Sequence, residues 1–103
     1  MTIENLTPEA GTLTQPDGTW LFNFGQIKKN IPKSFTVLIK DASHFSSQKG
    51  CGSCTTVNAE DVGEDIKLTV TFNAVGSGMF TKSVTETTKT NGIITIKFTG
   101  TLV

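Results

Sequence analysis

Arginine and tyrosine are absent from this chain of 103 residues, and its nine lysines are matched by nine aspartates and glutamates. A nucleic-acid binder needs a basic patch that displaces counterions from phosphate. A neutral chain without arginine lacks one, so no nucleic-acid partner is expected. Long apolar runs are missing too. None exceeds four residues, against the roughly 20 that a helix needs to cross a bilayer, so no membrane partner is expected. The opening residues MTIENLTPEAGTL have neither a charged n-region nor an apolar h-region, which argues against a signal peptide. No window repeats apolar residues at i, i+3, i+4 and i+7, which argues against a helical domain.

What the chain has in excess is threonine, 18 of its residues. A mucin-like stalk is also Thr-rich, but it carries many prolines and no alternating apolar partners. Here there are only three prolines. Thr, Val and Ile are β-branched, stiff at χ1, and suited to a half-buried pleated surface. The threonines therefore read as the solvent-facing half of many strands. The length makes residues 1–103 a single domain that buries roughly two-thirds of its unfolded surface. Seven phenylalanines and Trp20 supply much of that core, at about 150–250 Å² each.

Alternation with a period of two recurs along the chain. Trp20, Phe22 and Phe24 share one face of a strand that Gly25 ends. Phe35, Val37 and Ile39 repeat the pattern, Ile66, Leu68, Val70 and Phe72 give it most cleanly, and Ile94, Ile96 and Phe98 close the set. Such a repeat places one face in a core and one in water. Asp17-Gly18 and Asn91-Gly92 mark hairpin turns. The segment Gly76-Ser77-Gly78 leads into a weaker strand over 79–87. Residues 1–10 read as an arm or an edge strand, since Ile3 and Leu6 give them some apolar content. The fold expected is all-β, an immunoglobulin-like β-sandwich of about seven antiparallel strands. A small closed barrel is the alternative.

With the strands laid out, four segments carry a resemblance: FNFGQIKKNIPKSFTVLI (22–39), CGSCTT (51–56), DIKLTVTFNAVGSGMFTKSVT (65–85) and ITIKFTGTLV (94–103). Together they resemble a widespread bacterial and phage family of immunoglobulin-like domains related to the Hydin-type (ASH) and major sperm protein domains. That family shows an F-x-F-G-x-[IV] entry strand, an S-C-G-C-T-T segment, a G-x-[IL]-x-V-x-F strand and a final I-x-[IL]-x-G strand. The match runs over roughly residues 20–103 in order. Three departures stand out. Cys51-Gly52-Ser53-Cys54 is one residue longer than the family's Cys-Gly-Cys. Glu86 stands where the family has an apolar inward residue, which predicts a shorter or edge strand there. The leader that most bacterial members carry is not seen.

Few residues offer chemistry. Cys51 and Cys54 form a C-x-x-C pair, and four readings compete for it: a redox centre, half of a zinc site shared between two chains, a local disulfide, and two reduced thiols packed in a loop. A redox pair opens a helix whose dipole lowers the thiol pKa, and TTVNAED after it shows no amphipathic helix. A zinc site needs two further ligands, and a short disulfide loop adds little stability. His44, the one histidine, has Ser43, Ser46 and Ser47 beside it but no nucleophile-elbow motif. Glu60, Asp61, Glu64 and Asp65 give only a loose approximation to a calcium loop and read as a solvated turn. Lys28, Lys29 and Lys33 make a small basic spot that the acids balance. Trp20, in phase with Phe22 and Phe24, reads as core or core edge and not as a sugar platform. Gly52, Gly76, Gly78 and Gly92 read as turn residues, not a phosphate cradle.

No catalytic residue, cofactor site or metal site is assigned, with Cys51 and Cys54 kept as the candidates for a metal or a disulfide. The expectation is a non-enzymatic structural or interaction module. A free-standing domain of this kind points to an accessory phage virion protein of the head decoration, neck or tail, present in many copies or as a homo-oligomer among other structural proteins. A bacterial envelope or cytoplasmic scaffolding domain is the alternative, and a thiol redox protein using the C-x-x-C pair is a weaker one.

Overall fold

In a computed structural model, residues 2–15, 19–42, 55–89 and 92–103 are described, and residues 44–49 by their backbone alone. Among them are nine strands: β1 (Ile3–Asn5), β2 (Thr12–Thr14), β3 (Trp20–Ile27), β4 (Lys33–Ile39), β5 (His44–Lys49), β6 (Thr55–Val62), β7 (Asp65–Phe72), β8 (Gly78–Thr88) and β9 (Ile93–Leu102). They form two sheets, in the orders β1-β4-β7-β6 and β2-β3-β9-β8-β5. No helix occurs among the described residues. The chain is thus an all-β sandwich and not a closed barrel.

Two parts of the expected architecture need correction. The strand count exceeds seven, because β2, β5 and β6 have too few large apolar residues to announce themselves by alternation. The strands are not all antiparallel either. β3 pairs with β9 in parallel, Trp20 opposite Ile96 and Phe22 opposite Phe98. Alternation fixes which face a residue occupies but carries no information on strand direction.

The inward faces are those the periodicity names. Phe35, Val37 and Ile39 of β4 and Ile66, Leu68, Val70 and Phe72 of β7 are fully buried, with Val37 opposite Leu68 and Phe35 opposite Val70. The facing sheet supplies Phe22, Phe24, Ile96 and Phe98. The rings of Phe22 and Phe35 stack across the two sheets at 4.3 Å. Phe72 packs on Phe98 at 5.6 Å and on Phe80 at 4.6 Å. Trp20 is half-buried and packs against the margin of this core.

Strand β3 does not stop at Gly25. The residue adopts φ +72°, a left-handed conformation that favours glycine. The pairing with β9 slips there, between Asn23 and Gln26. The Asn23 Oδ1 accepts the Gly25 N–H at 2.8 Å, which holds this bulge, and the strand resumes to Ile27. Nor is the strand bearing Glu86 short or at an edge. β8 is the longest of the nine and lies between β9 and β5. Glu86 faces inward at 0% exposure, in register with Ile94 on one side and Ser47 on the other.

Candidate functional site

The threonines account for much of the outer surface, and they work in pairs across strands. Thr36 Oγ1 lies 3.2 Å from Thr69 Oγ1, and Ser34 Oγ lies 2.8 Å from Thr71 Oγ1. On the other sheet Thr81 Oγ1 is 3.2 Å from Thr99 Oγ1, which itself donates to the Phe80 carbonyl at 2.7 Å. Cross-strand pairs of this kind contribute about 0.2–1 kcal/mol each. These hydroxyls are bound to protein and leave outer faces that are polar but uncharged over long stretches.

Two shallow depressions lie on the outer face of the five-stranded sheet. One, of about 310 Å³, lies between β8 and β9 and is lined by Thr81, Lys82, Ser83 and Lys97. The other, of about 330 Å³, forms where the bulge parts β3 from β9, with Gly25 and Gly100 among its lining and Asn23, Gln26 and Met79 around them. Ligand sites ordinarily enclose most of their ligand, and both of these open broadly to solvent. The second was missed in the sequence because Gly25 reads there as a strand end.

The candidate residues disperse. Cys51, Cys54 and Gly52 lie outside the described residues, as do Asp17, Gly18, Ser43 and Asn91. His44 opens β5, opposite Thr88. Ser46 and Ser47 follow on that strand, opposite Thr87 and Glu86. Among the described residues no group of three or more His, Cys, Asp or Glu is placed to hold a metal ion.

The acidic residues sit on the β6–β7 hairpin, whose turn contains Gly63 and Glu64. Two of its backbone neighbours show what they do there. Asp65 Oδ1 accepts the Asp41 N–H at 2.9 Å, and its Oδ2 lies 3.5 Å from Lys40 Nζ. The Glu64 carbonyl accepts the Ala42 N–H at 2.8 Å. Asp65 thus ties the end of β4 to the hairpin, and its part-exposed ion pair contributes about 0–1 kcal/mol.

Lys28 and Lys29 occupy the β3–β4 connection at the other end of the strands, with Lys33 opening β4. The sequence shows both charge groups but not their separation, which depends on how the strands are strung. Gly76, Gly78 and Gly92 all have positive φ. None precedes a helix, the arrangement a phosphate cradle requires.

Compared with family models, with curated proteins and with solved structures, the chain gave no match.

Proposed function

We propose that this chain is an immunoglobulin-like domain serving as a non-enzymatic structural module, an accessory component of a phage virion in its head decoration, neck or tail. The observation that carries the fold part is the strand order. Lettered in the immunoglobulin manner, β1-β4-β7-β6 corresponds to A-B-E-D, and β3-β9-β8-β5 corresponds to A′-G-F-C. The strand β2 is then an addition beside A′. The parallel β3–β9 pair takes the place of the A′–G contact.

The surface supports the role. Hydroxyl pairs cover the sheets without adding net charge, so neighbouring proteins are repelled weakly and can pack closely. The depressions lie open on a sheet face, in keeping with docking to a protein and not with enclosing a substrate. With no arginine or tyrosine, binding leans on apolar anchors such as Met79, which is 85% exposed, and on repeated copies that add avidity.

Mass spectrometry of purified particles, from a lysate in which the gene is expressed, is the direct test. The chain is expected in the particles at many copies each, together with capsid, neck or tail proteins. Its presence only in the host fraction would overturn the virion assignment.

A further inference from the structure

The charges of this sandwich are sorted by end. Because β3 and β7 run one way while β4, β6 and β8 run the other, the connections gather into two groups. At one end the 28–32 connection is tied to the 73–77 connection and to the last residues of the chain. Asn30 N–H donates to the Ala74 carbonyl at 3.0 Å, and Lys29 N–H to the main-chain oxygen of the terminal Val103 at 3.3 Å. This end carries Lys28 and Lys29, with Lys33 at the base of β4. Neither connection contains an acid, and the terminal carboxylate of Val103 beside Lys29 offsets only one of the three lysines.

The opposite end gathers residues 40–42 and the β6–β7 hairpin, joined by the bonds of Ala42 to Glu64 and of Asp41 to Asp65. It carries Asp41, Glu60, Asp61, Glu64 and Asp65. Lys40 faces Asp65, Lys67 lies opposite Glu60, and Lys89 follows β8 nearby. Among the described residues these three lysines offset the five acids in part and leave the balance negative.

Each end also exposes apolar side chains. Ile31 and Val75 are 49% and 61% exposed at the basic end, and Val62 and Ile93 are 46% and 69% exposed at the acidic end. Exposed apolar side chains beside charged ones are a common feature of protein-binding surfaces, and here the two ends of one molecule offer them with opposite sign.

We propose that copies of this chain associate end to end, the lysine end of one seated on the acidic end of the next. The occupant is a second copy because complementarity is built into the same chain: unlike ends attract, and like ends repel. Such a contact is heterologous. It therefore propagates into a ring or an open stack and does not close as a two-fold dimer. The molecule measures 39 × 26 × 22 Å, and the eleven residues of β8 alone span about 36 Å along the strands. The contact is thus confined to the narrow cross-section, at the low end of the area a stable interface needs. Each joint is weak, and a row of them, or a repeating surface beneath, strengthens the whole. The proposal goes beyond the virion reading and does not depend on it.

Sedimentation velocity of the full chain tests it, at rising concentration and at salt from about 0.01 M to about 1 M, where the screening length falls from about 30 Å to about 3 Å. The sedimentation coefficient is expected to climb with concentration at low salt and to return to the monomer value at high salt. The double variants Lys28→Glu/Lys29→Glu and Glu60→Lys/Glu64→Lys each give a molecule with like ends, and each is expected to lose association by about tenfold or more. Mixing the two variants restores it, because each then supplies the end the other lacks. A wild-type chain that stays monomeric at low salt overturns the proposal. So does association that neither reversal weakens, or a mixture that remains monomeric. Circular dichroism checks that the variants are folded. Should either fail to fold, the exposed pair Ile31→Ser/Val75→Ser replaces it and is expected to weaken association as well. The chain found in particles yet monomeric in solution would overturn end-to-end stacking and leave the virion reading standing.

Discussion

Gly100 shows how closely single residues are constrained inside the five-stranded sheet, between β3 and β8. It is buried in β9, and a Cβ placed on it would lie 2.7 Å from the backbone oxygen of Gly25 and 3.0 Å from the Phe80 ring. The ring can give way, but the bulge carbonyl is backbone and cannot move alone. Gly100→Ala is therefore expected to destabilise the fold by about 1–3 kcal/mol, the usual cost of overpacking. Urea unfolding followed by circular dichroism measures it. A midpoint indistinguishable from the parent would show that the bulge is soft. Thr81→Ala, at an exposed site, loses its γ-methyl and its hydroxyl contact with Thr99 and is expected to cost no more than about 1 kcal/mol, the upper end for such a cross-strand pair. Glu86 sets a different constraint at the same scale. The family resemblance puts an apolar residue at that position, and here a carboxylate is wholly enclosed. Burying a carboxylate is costly unless polar groups meet it. Its register neighbour on β5 is Ser47, a polar residue on the flank where the alternation of the sequence fades.

At the scale of elements, β3, β4, β7 and β9 were legible because each is flanked by strands on both sides and presents large apolar residues inward. Ile66, Leu68, Val70 and Phe72 could hardly be arranged otherwise. The rim of the sandwich was not legible in the same way. β6 turns inward Thr55, Val57 and Ala59, and the last two are only half-buried, so small side chains suffice and the pattern is faint. β5 has Phe45 as its one apolar residue among polar ones. Its partner β8 carries Lys82, Glu86 and Thr88 in the inward phase, and so reads as weak although it is the longest strand. Of the candidate site, residue types were legible but their grouping was not. The carboxylates and the lysines were both visible, while their placement at opposite ends required the connections. The same division governs local stability. Native-state hydrogen exchange is expected to be slowest in β7 and β9, which are paired on both sides and rooted in the phenylalanine core. The three-residue edge strands β1 and β2 are expected to exchange first, since their opening exposes little apolar surface. Protection in β2 equal to that in β9 would mean that the sandwich opens only as a whole.

For the whole molecule, the parallel contact between β3 and β9 dominates. Trp20 meets Ile96, and Ile27 meets Leu102, so most of the chain lies between partners that must find each other. Closing so long a loop costs entropy before any contact compensates for it, and folds rich in such pairings form slowly. The β6–β7 and β8–β9 hairpins are local and can form early, but neither buries its apolar face until the two sheets meet. The chain supplies its own probe of that step. Trp20 is its one tryptophan, and it lies on β3 at the margin of the core, in register with β9. After dilution from urea, Trp20 fluorescence is expected to recover over milliseconds to seconds, in the same phase as the far-ultraviolet dichroism of the sheets. Leu102→Ala removes a buried side chain from the far end of the same pairing, and should cost about 2–5 kcal/mol. If β3–β9 closure is the limiting event, part of that cost appears as slower folding. Fluorescence recovered within microseconds, or a Leu102→Ala variant altered only in its unfolding rate, would place the closure of the sandwich after the barrier.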